Sequence, residues 1–114
     1  MYEDPSGSAP QMLDLSGGNN DGTSNGTMTS GDSVAGLLDN ALDLDGTDDY
    51  IELANESAFE LSAVFASVML WFKTSTEQRQ VMIGKTGYTN GGDYQWVVEM
   101  ESDGTIAAFI TNTV

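Results

Sequence analysis

The sequence contains no cysteine and no histidine, and only three basic residues, Lys73, Arg79 and Lys85, stand against eighteen Asp and Glu. Without cysteine there is no disulfide, no thiolate metal centre and no thiol nucleophile. Without histidine the commonest general base and the commonest zinc ligand are both missing, and with them every Ser-His-Asp or Cys-His arrangement. A formal charge of −15 repels phosphate backbones and anionic lipid surfaces, which excludes nucleic acid as a partner. No run is long and apolar enough to span a membrane, so membrane insertion is not expected. Met1 and Tyr2 are followed by acidic and small residues and not by an apolar run, so a leader for export would have to lie upstream.

What is present suits one small domain of 114 residues. Its carboxylates fit a salt-adapted surface or a cation-binding one. Residues 1–39 form a loop-rich N-terminal part dominated by Gly, Ser, Asn, Asp and Thr, with Thr23–Thr29 as its best strand candidate. Residues 40–114 form a strand-rich core. Ala41-Leu42-Asp43-Leu44-Asp45 alternates apolar and polar, Gly46-Thr47-Asp48-Asp49 is a turn, and Tyr50-Ile51-Glu52-Leu53 alternates again. The period of two predicts a β-hairpin, or a strand pair joined by a tight polar corner. Ala54–Leu61 allows one helical turn, with Asn55 or Ser57 as its cap.

Ala63–Thr74 (AVFASVMLWFKT) reads as the strongest strand, apolar on both sides and so central in a covered sheet; a buried helix is the competing reading, with β-branched and aromatic residues favouring the strand. That reading makes Trp71 a core residue. Gln80–Lys85, Asp93–Glu101 and Thr105–Asn112 follow as shorter strands, with Trp96 also expected in the core. Gly87–Gly92 and Ser102-Asp103-Gly104 separate them with good turn chemistry. Short strands at about ten-residue spacing predict an all-β sandwich or barrel.

ALDLDGTDDYIEL, residues 41–53, resembles the signature strand pair of laminin-G-like and concanavalin A-like modules. DLSGGNNDGT upstream resembles that superfamily's polar loop leading into a Gly-Thr strand. VMLWFKTS and VMIGKTG downstream are similar to its next two strands. The four matches occur in the expected order over roughly residues 14–87. The resemblance implies an antiparallel jelly-roll β-sandwich, incomplete at both ends, in which the chain is a partial domain of a larger secreted or surface protein alongside other domains. Exposed apolar sheet surface and unpaired edges are then expected if the piece is made alone.

Three kinds of site were weighed. Glycoside hydrolases on such a fold place two carboxylates at alternating positions on one strand, as Glu99 and Glu101 are placed. The superfamily's third acid has no counterpart near Gly104 and Thr105, and a solvated strand face explains the pair, so an enzyme is not expected. Hard oxygen ligands on a tight corner suit Ca²⁺. Asp48 and Asp49, with Asp45 beside them, are metal candidates on that ground; Asp93 joins them because it resembles a position in a calcium-ligating loop of pentraxin-like relatives. Asn20 and Asp21 are a further possibility. None of these fits the twelve-residue EF-hand loop, and corners need Asp and Gly without any ion. Tyr88, Asn90 and Tyr94 around the Gly-rich 87–92 loop are ligand-binding candidates, since aromatic faces beside polar groups hold sugars or protein partners. Asn25-Gly26-Thr27 and Asn55-Glu56-Ser57 match N-glycosylation acceptors. The functional expectation is a non-catalytic extracellular module for a glycan or an extracellular protein, with Ca²⁺ as its only expected cofactor. A structural spacer in a surface or viral fibre protein is the alternative, and part of a glycoside hydrolase a second one.

Overall fold

A computed structural model describes residues 4–60, 67–86 and 94–110, and the chain divides into two compact units, Met1–Ala58 and Phe59–Val114. Among the described residues every ladder is antiparallel, and helix is confined to two short 3₁₀ turns. The expected all-β class therefore holds.

In the first unit, strand β1 (Gly22–Asn25) pairs with β4 (Tyr50–Leu53), and β2 (Ser33–Ala35) pairs with β3 (Asn40–Leu42). Glycine is needed at 22 because Met12 bridges it from one side while β4 lies on the other; a Cβ there would stand 2.7 Å from Ile51 Cγ2. The expected Thr23–Thr29 strand stops early. Gly26 has φ +93°, which turns the chain away, and Thr29 then caps the 3₁₀ turn Ser30–Asp32 through a capping box. A second 3₁₀ turn, Glu56–Phe59, falls where one helical turn was expected, with Ala58 N–H bonded to the Asn55 carbonyl.

The hairpin expected over 41–53 needs correcting. Both of its strands form and Tyr50–Leu53 shows the alternating burial of period two, but β3 and β4 do not pair with each other. Residues 43–49 carry the chain from one two-stranded sheet to the other. The hairpin that does form is β2–β3, closed by Gly36 N–H on the Asp39 carbonyl at 2.7 Å, with Asp39 at φ +77°.

The second unit is built on β5 (Gln80–Thr86), β6 (Tyr94–Met100) and β7 (Ile106–Ile110), in the order β5-β6-β7. All three expected strands are present within a few residues. The β6–β7 turn is a tight one. Gly104 at φ +80° sends its N–H to the Glu101 carbonyl, Glu101 N–H reaches the Thr105 carbonyl, and Asp103 Oδ1 accepts the Thr105 N–H. β6 is central and supplies the buried apolar residues, Trp96, Val97 and Met100. The Trp96 indole N–H donates to the Phe59 carbonyl at 3.0 Å, as a buried indole requires.

Two core expectations fail here. Positions 63–66 of the run expected as the strongest strand lie outside the described residues, and 67–74 join no ladder. Trp71 is 69% exposed and Met69 91%, so this is not a covered central strand.

Candidate functional site

In the first unit the acids act on their own backbone. Twelve of the eighteen carboxylates and none of the three basic residues lie in Met1–Ala58. Asp14 accepts the N–H groups of Ser16 (2.8 Å) and Asn20 (2.9 Å), and Asp21 Oδ1 accepts the Asp14 N–H at 2.7 Å. The loop 14–21 is thus tied into a ring by side chain-to-backbone bonds. The Ser16 hydroxyl, then the Asn20 and Ser16 amides, hold the Asp14 carboxyl down from its ordinary 3.8 to about 2.

The corner at 45–49 uses the same device. Asp45 Oδ1 accepts Thr47 N–H (2.7 Å) and Asp48 N–H (3.3 Å). Asp49 reaches in two directions, Oδ1 to Thr27 N–H and Oδ2 to Asp45 N–H, both at 3.1 Å. The Thr47 amide is the main reason the Asp45 carboxyl lies below its usual range. One carboxylate oxygen each from Asp45, Asp48 and Asp49 falls within 4.8 Å of the others, with Asp45 and Asp48 exposed and Asp49 half-buried. Asp48 has no donor to its carboxylate among the described residues. The corner brings together hard oxygens of the sort Ca²⁺ accepts, while Asp45 and Asp49 already have a structural task that needs no ion.

Of the other sequence candidates, Tyr88, Asn90 and Asp93 lie outside the described residues. Tyr94 opens β6 opposite Thr86. Asn20 and Asp21 belong to the 14–21 ring. The two glycosylation motifs differ in accessibility: Asn55 is exposed, whereas Asn25 is half-buried in β1 and donates to the Thr23 carbonyl at 3.1 Å.

In the second unit, Glu99 was expected on a solvated face. It is 3% exposed, and its carboxylate lies 2.7 Å from the Arg79 guanidinium. Its strand partners are Val81 on β5 and Ala107 on β7, so the apolar neighbours follow from the register. Glu101 stands just past the end of β6, half-buried. Glu99 is paired with Arg79, and Glu101 lies beyond the strand on which the two were expected to alternate. Nothing in the local sequence marked Glu99 as buried; the signal that existed was the even spacing of Val97 and Glu99 on one side of β6.

A further candidate is apolar, on a sheet surface of the kind the sequence led one to expect. A groove of about 310 Å³ is lined by Val68, Met69, Leu70 and Phe72 with Met82, Val98 and Ile106 of the sheet. Val68 and Phe72 are about half exposed, and Trp71 and Met69 more so. Among the described residues no helix is long and apolar enough to cross a membrane.

No protein-family model, curated protein or solved structure matches the chain.

Proposed function

We propose that the chain is a non-catalytic, extracellular binding module of the laminin-G-like kind, its sheets belonging to an antiparallel jelly-roll sandwich. The observation that carries this reading is the exposed run Val68–Phe72 beside an apolar groove. Apolar side chains gathered at a surface favour a partner that buries them, and a protein surface does so more fully than a glycan. Recognition is passive: the groove docks the partner. The absence of histidine and the pairing of Glu99 with Arg79 both speak against hydrolysis.

A second element of the reading is cation-assisted. The convergence of Asp45, Asp48 and Asp49 supports a Ca²⁺ that steadies this loop corner for a glycan or protein ligand. The first test is an array of glycans and purified extracellular proteins, probed with Ca²⁺ and with chelator. Wild-type chain is compared with Met69→Ser, Trp71→Ser and Asp48→Asn. Discrete protein hits lost in Trp71→Ser support the groove, and hits lost with chelator and in Asp48→Asn support the corner. A blank array leaves a structural spacer as the better reading.

A further inference from the structure

We propose that β7 is a self-pairing edge, by which two copies of the chain join their three-stranded sheets into one six-stranded sheet. Among the described residues β5 and β7 are the two edges of this sheet, and they are built differently. β5 carries register shifts at Val81/Ile83 and Lys85/Thr86, together with the charge of Lys85. Bulges and lysine are the features that keep an edge strand from pairing with another chain. β7 has neither. Its register against β6 runs unbroken from Met100↔Ile106 to Trp96↔Ile110, and its five residues, Ile-Ala-Ala-Phe-Ile, are all uncharged. Ile106 and Phe109 are each 46% exposed and Ile110 is 72% exposed.

The turn fixes which groups point outward. Glu101 N–H bonds to the Thr105 carbonyl. In an antiparallel ladder hydrogen-bonded and non-bonded pairs alternate, so Ala107 and Phe109 face β6 with their amides. Ile106, Ala108 and Ile110 turn theirs to the open side. That set is self-complementary. A two-fold axis at Ala108 sets Ala108 against its own copy and Ile106 against Ile110 of the second copy, each a hydrogen-bonded pair. The contact closes on itself and brings no like charges face to face. This is why the occupant is a second copy of this chain. It goes beyond the binding reading, since it uses the sheet edge and not the 68–72 run.

The test is sedimentation velocity on the whole chain from micromolar to millimolar concentration, at low and high NaCl, with amide hydrogen exchange. The expected result is a rise to twice the 12.1 kDa chain mass. Salt should shift it to lower concentration by screening the −15 charge. The Ile106, Ala108 and Ile110 amides should slow at least tenfold in the dimer. Ile110→Lys adds a charge at an exposed position, and Ala108→Pro removes one outward donor; both should remain monomeric, and the lysine variant should keep the sheet's exchange pattern. A monomer at every concentration, masses beyond two copies, or a dimer that Ile110→Lys leaves intact would overturn the proposal. So would fast exchange at those three amides within the dimer.

Discussion

The Glu99–Arg79 pair should respond very unequally to loss of its two ends. The Glu99 side chain is 4% exposed and the Arg79 side chain 58%. Arg79→Met strands a carboxylate on β6 between Val81 and Ala107, where water scarcely reaches it. Breaking a fully buried pair from one side costs about 3–5 kcal/mol. Screening at the exposed arginine reduces this, and about 2 kcal/mol is the expected loss. Glu99→Met leaves a guanidinium that solvates itself, so its cost should be under about 1 kcal/mol. The double variant should match Glu99→Met, giving a coupling of about 2 kcal/mol. Urea unfolding followed by Trp96 fluorescence measures all four, with Trp71→Phe as the common background. Arg79→Met should lower the midpoint by about 1–2 M. If Glu99→Met proves the costlier change, or Arg79→Met stays within about 0.5 kcal/mol of wild type, the burial argument fails.

Three further outcomes follow from the same geometry. Gly26→Ala should cost about 2 kcal/mol or more, because φ is +93° and the new Cβ would meet the Asp48 carbonyl oxygen at 2.5 Å; thermal melts compare it with Gly31→Ala, which has room. Asp14 has a lowered folded-state pKa, so its contribution is present above its ordinary value of 3.8 and is lost as pH falls toward about 2. Acid unfolding of the wild type should steepen across that window, and Asp14→Asn should flatten it. Acrylamide should quench Trp71 strongly and Trp96 weakly, measured in Trp96→Phe and Trp71→Phe variants; equal quenching would contradict their 69% and 7% exposures.

What could be read from the sequence was local. The strands at 80–86, 94–100 and 106–110 follow from short apolar segments separated by turn residues, and the Ser102-Asp103-Gly104 turn from the left-handed backbone that glycine admits, so their existence and order were legible. Pairing was not. The corner at 45–49 looks like a hairpin loop because Asp and Gly serve any sharp turn, and only tertiary register shows β4 joining β1 instead. The run VMLWFKT has strand composition, but strand propensity expresses side-chain packing and needs a neighbour to pair with. Glu99 was hidden for a related reason: a carboxylate in an alternating strand reads as solvent-facing until Arg79 is seen to neutralise it. The corner Asp45, Asp48 and Asp49 was recognised as a cluster from spacing alone, and the structure adds the amides that Asp45 and Asp49 hold.

The division of labour between the two units explains why so acidic a chain folds where its sequence is loop-like. In the second unit a conventional core exists, with Trp96, Val97 and Met100 buried on one central strand. In the first, Pro5 is the only fully buried side chain among the described residues, and no large apolar residue there is buried. Its order comes instead from carboxylates closing loops on backbone amides, at Asp14, Asp21, Asp32, Asp45 and Asp49. Apolar burial is indifferent to proton concentration, whereas the bonds to Asp14 and Asp45, whose carboxyls lie below their ordinary value, weaken as those acids take up protons. The first unit's stability is therefore tied to pH through Asp14 and Asp45, and the same acids that give the chain its charge of −15 also close its loops.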